Sequence, residues 1–211
     1  MSKDCDELHK IFRNMKRFSF PFDSEDIPLN GIYILFEKNE TGHFGDRIVR
    51  IGTHTGKDQL RSRLFQHFIN ENKDRSIFRK NIGRALLNKN KDTFLDKWEI
   101  DLTTAISKKE NRGLIDFEKQ KEIEKKVSRY IRDNFSFVVF PVEDKDKRLE
   151  LESKIISTIS LCNECKPSEN WLGNFSPKEK IQKSGLWLVN ELWKIPLSDE
   201  DMEELRRLIS D

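Results

Sequence analysis

The stretch GIYILFEKNETGHFGDRIVRIGTHTG, residues 31–56, contains two short apolar segments separated by a polar turn with glycines. Runs of β-branched and aromatic residues around such a turn are typical of a β-hairpin. We therefore predict strands near 31–37 and 47–52. An ordinary half-buried hairpin needs neither the phenol of Tyr33 nor the guanidinium of Arg50, so these two side chains require a separate explanation.

Alternation along the two strands predicts which side chains share a face of the sheet. In the first strand, one face receives Ile32, Ile34 and Phe36, and the other receives Tyr33 and Leu35. In the second strand, one face receives Val49 and Ile51, and the other receives Ile48, Arg50 and Gly52. Tyr33 and Arg50 can thus share a face near Gly52, where a ligand or another chain can approach closely. The alternative is a tyrosine with its hydroxyl in water beside an arginine at the rim.

Hydrophobic periodicity predicts the remaining secondary structure. The predicted helices cover 4–17, 56–71, 76–87, 118–133 and 146–161, followed by an acidic final helix. Two further segments have strand character, at 96–104 and 134–142. These elements predict the α+β class, with a small, mainly antiparallel, three-stranded central sheet flanked by helices.

The chain shows no internal repeat and no low-complexity linker, so we expect one domain over residues 1–211. Within it we expect a core, a basic helical insert and a C-terminal helical extension. The core covers about 28–68 and 135–175, the insert about 69–130, and the extension 176–211.

The 211-residue chain is densely charged, and its basic residues are unevenly placed. Charged residues make up 36% of it and the net charge is only +2, yet seven basic residues accompany one acid between Lys73 and Lys91. Such a segment suits a protein that meets a polyanion with one face, and the alternative is a solvated face. No apolar run is long enough to cross a bilayer and the start lacks a signal-peptide pattern, so we expect a cytoplasmic protein with no membrane partner.

Three cysteines, Cys5, Cys162 and Cys165, are too few for a disulfide framework. Cys162 and Cys165 form a C-x-x-C pair, which is compatible with zinc or redox chemistry. A structural zinc ion needs four ligands, and no second C-x-x-C pair or paired histidines follow. We therefore expect reduced, partly buried thiols.

Five short segments occur along the chain: GIY at 31–33, RIG at 50–52, RLFQHF at 63–68, LESKII at 151–156 and PSEN at 167–170. In this order they resemble the signature of the GIY-YIG nuclease superfamily. The resemblance covers about 31–68 and 135–174 and leaves the segment between them unmatched. The family usually has a tyrosine where this chain has Arg50, and the spacing from there to Arg63 is stretched by a few residues.

The resemblance implies a nuclease that hydrolyses phosphodiester bonds with a divalent metal ion. The implied catalytic residues are Tyr33, Arg50, Arg63, His67, Glu152 and Asn170. Glu152 would hold Mg²⁺, for which Mn²⁺ could substitute, and Arg63 would grip the scissile phosphate. Tyr33 would act as the general base or orient the water, and Arg50 would favour loss of the phenol's proton. His67 would assist proton transfer or hold a phosphate, and Asn170 would support the metal site.

Helical neighbours single out one acid independently of the resemblance. Three and four residues from Glu152 on the 146–161 helix lie Arg148, Leu149, Ile155 and Ile156. Glu150 instead has polar and charged neighbours and lies on a solvated face. A carboxylate bordered by aliphatic side chains is costly unless a cation compensates it, which favours Glu152 as the functional acid. The helix position decides less for arginine, so Arg61 stays an alternative to Arg63.

The candidate DNA-binding residues are Lys57, Arg79, Lys80 and Arg84. On a helix over 76–87, Lys80 and Arg84 form an i,i+4 pair of like charge, which costs an isolated helix about 0.2–0.5 kcal/mol. A bound anion would remove that cost. We expect double-stranded DNA as the partner of a monomer or homodimer.

Three functions remain open from the sequence. The first is a compact restriction-type DNA endonuclease, favoured because no separate DNA-binding domain is recognisable. The second is a catalytically inactive or structure-specific binding module, associated with repair or mobile elements. The third is a generic α+β domain with a chance match. Binding alone would not require Glu152, which favours the endonuclease.

Overall fold

The computed structural model describes residues 2–210, and it has a four-stranded antiparallel sheet at its centre. The strands are β1 (Phe18–Ser19), β2 (Gly31–Gly42), β3 (Gly45–Gly52) and β4 (Phe135–Pro141), in the spatial order β1-β4-β2-β3. The predicted α+β class is confirmed, while the predicted strand number is short by one. β1 pairs with β4 through only two residues, and so short a strand has no recognisable alternation.

Nine α-helices surround the sheet within residues 2–210. They are α1 (Ser2–Arg13), α2 (Leu60–Phe68), α3 (Ile77–Lys89), α4 (Leu95–Trp98), α5 (Ala105–Asn111), α6 (Phe117–Asn134), α7 (Lys145–Ser160), α8 (Glu179–Ser184) and α9 (Asp199–Ser210). Side-chain caps begin several of them, as where the Ser76 hydroxyl accepts a hydrogen bond from the Arg79 N–H at the start of α3. None of these helices combines the length and apolar character needed to span a bilayer.

The strand predicted at 96–104 is wrong, because that segment contains most of the four-residue helix α4 and the loop after it. Trp98 at the end of α4 is fully buried against α3, where a Cβ atom on Gly83 would lie 2.3 Å from the indole. The indole N–H also donates to the Lys80 carbonyl at 3.0 Å. A tertiary contact with α3 therefore determines this segment, and its alternating sequence does not.

Two apolar clusters cover the two faces of the sheet. Tyr33 and Leu35 lie in one cluster, with α2, α3 and α6, and their neighbours Ile32 and Ile34 lie in the other, with α1 and α7. The alternation predicted for β2 is confirmed.

In β3 the predicted faces are partly wrong. The pairing of β2 with β3 shifts between Leu35 and Phe36, so this edge contains a bulge. As a result Val49 joins the cluster of Leu35, and Ile48 joins the cluster of Ile51. Arg50 pairs with Leu35 and thus lies on the face of Tyr33, as predicted. A bulge reverses alternation locally without changing the sequence pattern.

The C-terminal region packs beside β3. The Trp187 N–H donates to the Val49 carbonyl at 2.8 Å. The indole N–H groups of Trp171 and Trp187 both donate to the Glu37 carboxylate, at 2.7 and 2.8 Å. These contacts place residues 187–191 next to Arg50, where they form one wall of a cavity.

Candidate active site

A cavity of about 420 Å³ opens between β3, α2, α3, α7 and the C-terminal segment. Its polar lining comes from Arg50, Arg63, Asn81, Glu152, Asn190 and Glu191. Three of the residues predicted to be catalytic therefore meet here, although they lie up to 102 positions apart in the sequence. Two arginines facing a carboxylate suit an anionic ligand that a cation accompanies.

Glu152 is supplied by α7 and is anchored to the loop after β3. Its Oε1 accepts a hydrogen bond from the Thr53 N–H at 3.0 Å, and the Thr53 hydroxyl is itself held by the Gly31 carbonyl at 2.7 Å. Burial raises the pKa of Glu152 to about 7, although Arg50 and the Thr53 N–H act in the opposite direction. Glu191 adds to the increase through its negative charge. Glu152 is thus a carboxylate that its surroundings do not fully compensate.

Arg50 is buried and fixed from two sides. Its Nη1 donates to the Trp187 carbonyl, its Nε donates to the Tyr33 hydroxyl at 3.3 Å, and its guanidinium lies 5.2 Å from the centre of the Phe78 ring. Only 4% of the residue is exposed. A guanidinium held in this way presents a fixed positive charge to the cavity with little left to reorganise.

Arg63 is half-buried and held more loosely. Its Nη1 lies 3.4 Å from both the Gln66 side-chain oxygen and the Arg75 carbonyl, which are long hydrogen bonds. Arg61, the alternative from the sequence, points elsewhere, because its guanidinium binds the Ile27 carbonyl and the Glu25 carboxylate. The structure therefore places Arg63, and not Arg61, where it can bind a ligand in the cavity.

Tyr33 and His67 form a buried polar chain behind Arg50. The Tyr33 hydroxyl lies 2.8 Å from His67 Nε2, and His67 Nδ1 lies 2.7 Å from the Ser76 hydroxyl. Burial, with added repulsion from Arg50, Arg63 and Arg79, lowers the pKa of His67 well below 6.5, so the ring is neutral. Neither Tyr33 nor His67 is exposed, and neither lines the cavity. Tyr33 contacts Arg50, which lines the cavity, and His67 contacts Tyr33.

Asn170 does not join the cavity. It is exposed, in a loop where Ser168 bonds to Glu40, and Glu40 lies toward the hairpin turn, away from the Arg50 end of the strands. The asparagines at the cavity are Asn81 on α3 and Asn190 in the C-terminal segment, and the sequence reasoning missed both. One sequence signal was available, since Asn190 interrupts an aromatic segment, WLVNELW, at 187–193.

Glu191 is a further cavity residue that the sequence reasoning missed. Its backbone has a φ of 62°, which is unfavourable for a residue with a side chain. Its carboxylate accepts hydrogen bonds from the Ser153 hydroxyl and the Lys194 ammonium group, and these contacts lower its pKa. Strained residues held by their surroundings are concentrated at functional sites.

Three of the four predicted DNA-binding residues use their charges in contacts within the protein, which counts against a phosphate contact at these positions. Arg79 is fully buried and forms an ion pair with Glu124 at 2.7 Å. Arg84, 6% exposed, binds both carboxylate oxygens of Glu99 at 2.5 Å. Lys80 donates to the Glu99 carbonyl at 2.9 Å and lies 3.6 Å from Asp74. Acids on neighbouring elements, not an external anion, offset the like charges on α3.

Lys57, the fourth predicted residue, is exposed in the loop between β3 and α2. The same loop lines a second depression of about 250 Å³, and this depression shares Arg63 with the main cavity. Lys57 thus stays a candidate for a phosphate contact close to the site.

The cavity residues fit a hard divalent cation at Glu152. Carboxylate oxygens are the ligands that Mg²⁺ prefers, and it commonly uses one or two of them together with substrate phosphate oxygens. Glu152 is a partly buried acid whose pKa is raised by desolvation despite the nearby charges of Arg50 and Arg63, and Glu191 adds a second carboxylate to the same cavity. Glu152 is therefore the residue that would hold the ion.

Two arginines and a carboxylate line one cavity, next to an antiparallel sheet that carries GIY in β2 and RIG in β3. A family model described as the GIY-YIG domain matches residues 2–211, so the chain belongs to the GIY-YIG family. Membership indicates endonuclease activity, a nucleic-acid substrate and a general dependence on metal ions. Comparisons with curated proteins and with solved structures gave no significant match.

Proposed function

We propose that this protein is a Mg²⁺-dependent endonuclease that cuts double-stranded DNA in the cytoplasm, with all its catalytic residues in a single domain. The observation that carries the proposal is the meeting of Glu152, Arg50 and Arg63 around one cavity. Phosphodiester hydrolysis needs an activated water and neutralisation of the charge that develops at the phosphate. Two arginines supply the second requirement directly.

Each side chain has a distinct part in this reaction. Arg63, loosely held at the rim, binds the scissile phosphate with its planar fork of N–H donors. Arg50, fixed by Trp187 and Tyr33, stabilises the charge that grows in the transition state. When bound at Glu152, a divalent ion would polarise the phosphate and make the attacking water more acidic.

Tyr33 and His67 take a different part from the one that the sequence suggested. Because the Tyr33 hydroxyl is buried behind Arg50, we assign it to positioning the guanidinium. Neutral His67 in turn orients the phenol, and Ser76 orients His67. Tyr33 and His67 are positioning residues in this scheme.

A restriction-type enzyme is the form of endonuclease that we propose. The cavity is walled by α3 from the insert and by residues 187–191 from the C-terminal extension, so both regions lie where they can contact DNA beside the cut. A catalytically inactive binding module is the alternative. It differs in one testable respect, since it would bind DNA without cutting it.

Incubation of the purified protein with plasmid DNA and Mg²⁺ tests the proposal. We expect nicked or linear product, no cleavage in EDTA, and recovery when Mn²⁺ replaces Mg²⁺. Glu152→Gln should abolish cleavage and leave DNA binding, measured by gel shift, within a few-fold of the parent, because the substitution removes the charge but keeps the shape.

Glu150→Gln is the matched control for Glu152→Gln. Glu150 lies on the same helix, is exposed and pairs with Lys154 at 2.7 Å, so its loss should leave cleavage unchanged. DNA binding by the parent protein without cleavage in either metal would favour the inactive module. Equal loss of cleavage in both variants would refute the assignment of Glu152.

A further inference from the structure

A second cluster of side chains lies apart from the cavity, beside the turn at the other end of β2 and β3. It contains two cysteines and two histidines, Cys5, His9, His43 and Cys165, and one potential ligand atom from each lies within 4.8 Å of the others. All four are buried. Cys5 and Cys165 belong to the apolar cluster of α1 and α7, whereas Tyr33 belongs to the cluster on the other face.

The four residues come from three separate parts of the chain. Cys5 and His9 are four positions apart on α1 and therefore point in the same direction. His43 lies in the turn between β2 and β3, and Cys165 lies in the loop after α7. Since the histidines and Cys5 precede the C-x-x-C pair, a search for ligands after that pair could not find this set.

We propose that Cys5, His9, His43 and Cys165 bind a structural zinc ion. Two sulfur and two nitrogen donors favour tetrahedral zinc over the harder ions that choose oxygen. In such a site, donors at about 2.0–2.3 Å from zinc lie about 3.3–3.8 Å apart. Cys165 Sγ lies 3.5 Å from His9 Nε2, which is within this range, and one donor atom from each of the four residues lies within 4.8 Å of the others. His9 Nε2 also accepts a hydrogen bond from the Ile48 N–H at 3.1 Å, which it would exchange for the ion. Small shifts of the side chains would close this set around one ion.

Asp6 provides independent support. Its Oδ1 is buried and has no hydrogen-bond partner among the residues that the structure describes, yet it lies 3.9 Å from His43 Nδ1. A carboxylate facing the outer nitrogen of a histidine is the usual support of a zinc-binding imidazole. The other oxygen of Asp6 is bound by Lys10 at 2.6 Å, which fixes the carboxylate beside the ring.

The hairpin turn provides a second line of support. His43 and Phe44 have φ angles of 49° and 62°, a turn conformation that asparagine and glycine normally occupy. Gly42 leaves space for the sulfur, because a Cβ atom there would lie 2.7 Å from Cys165 Sγ. Arg13 holds the turn by donating to the His43 carbonyl at 2.8 Å. The unfavourable backbone thus directs His43 toward the cysteines, as expected where binding compensates the strain.

The proposed ion is distinct from the one at Glu152. Burial of all four ligands leaves no open position for substrate, which is typical of structural zinc. The ion would tie α1, the hairpin turn and the loop after α7 together. It would thereby fix the far end of the two strands that carry Tyr33 and Arg50.

Zinc content of the full-length protein tests the proposal without any measurement of nuclease activity. The parent, expressed with added zinc and purified with a reductant and no chelator, should contain about one zinc per chain by mass spectrometry of the metal. Cys5→Ser and Cys165→Ser should lose it. Cys162→Ser is the matched control, because Cys162 lies beside the cluster, with its Sγ 3.4 Å from His43 Nε2 and also in contact with Cys5, but is outside the set of four.

Cobalt keeps the test valid if the serine variants fail to fold. The parent, with zinc replaced by Co²⁺, should show the visible absorption of a tetrahedral cobalt–thiolate site. A parent that takes up neither zinc nor cobalt, or that forms a disulfide between Cys5 and Cys165 when zinc is present, would overturn the proposal. Loss of zinc from Cys162→Ser with full retention by Cys5→Ser would overturn the assigned ligands.

Discussion

Glu150 and Glu152 lie two residues apart on one helix and have opposite surroundings. Glu150 is exposed and paired with Lys154 at 2.7 Å, while burial raises the pKa of Glu152 to about 7. Helical neighbours in the sequence already distinguished the two, because residues three and four apart share a face. At the scale of single residues, a charge with aliphatic neighbours was therefore recognisable before the fold was known.

Tyr33 offers the sharpest prediction at this scale. Tyr33→Phe removes a hydroxyl that contacts Arg50 at 3.3 Å and His67 at 2.8 Å but keeps the ring. If the hydroxyl only positions Arg50, single-turnover cleavage should slow by about tenfold or less, the value of one hydrogen bond of about 1 kcal/mol. A general base would be worth about 10²- to 10⁴-fold. A loss in that higher range would show that the phenol reaches the attacking water.

Lys57 and Lys80 make a matched pair for DNA binding. Lys57→Ala should reduce the slope of log binding constant against log salt by about 0.9, because one phosphate contact is lost on duplex DNA. Lys80→Ala should leave the slope unchanged, since its ammonium group already binds Glu99 and Asp74. Titrations by fluorescence anisotropy at several salt concentrations provide the measurement. Equal slopes for the parent and Lys57→Ala would remove Lys57 from the interface.

At the scale of elements, α3 shows how a basic segment can be structural. Arg79 bonds with Glu124 and Ser128 of α6 and with the His67 carbonyl of α2. It thereby joins three helices and helps to hold the hydrogen-bonded side chains of Ser76, His67 and Tyr33 in position. Breaking a buried pair of this kind typically costs about 3–5 kcal/mol, so the charge belongs to the stability of the fold.

The C-terminal segment gives the prediction at the scale of elements. Asn190→Ala removes an amide from the cavity and should lower the cleavage rate by about tenfold or more, because polar groups directed at developing charge contribute strongly. Asn170→Ala should leave the rate within about twofold, since Asn170 is exposed outside the cavity. Single-turnover cleavage rates of both variants show which of the two asparagines contributes to the reaction. The reverse order would restore Asn170 as the functional asparagine.

At the scale of the whole molecule, His67 links folding to pH. The folded protein keeps the ring neutral, because its pKa is well below 6.5, whereas the unfolded chain takes up a proton near that pH. Stability is therefore fully present above pH 6.5 and is lost as the pH falls toward the folded pKa.

We expect this one residue to cost about 1.4 kcal/mol per pH unit in that acidic range. Urea unfolding at several pH values, on the parent and on His67→Gln, should show a shallower acid dependence in the variant. Other titrating groups are common to both proteins and cancel in the comparison. Parallel pH profiles would mean that His67 takes up its proton over the same pH range in the folded and unfolded states, which would contradict the lowered pKa.

The sequence by itself determined the hairpin, most of the helices and the acid that lines the cavity. These features depend on neighbours along the chain, since alternation defines a strand face and three- and four-residue spacing defines a helix face. The order of the GIY, RIG and LESKII segments along the chain also indicated the GIY-YIG family. Tyr33 and Arg50 share a face because their strands pair in the predicted direction.

Only the tertiary structure decided which charged side chains face the cavity and which are paired within the protein. Arg79 is neutralised by Glu124, 45 positions away, and Arg50 is fixed by Trp187, 137 positions away. The place of Asn190 in the cavity, and of Cys5 beside Cys165, depends on contacts of the same long range. Burial and ion pairing are set by which distant segments meet, and no local pattern specifies that meeting.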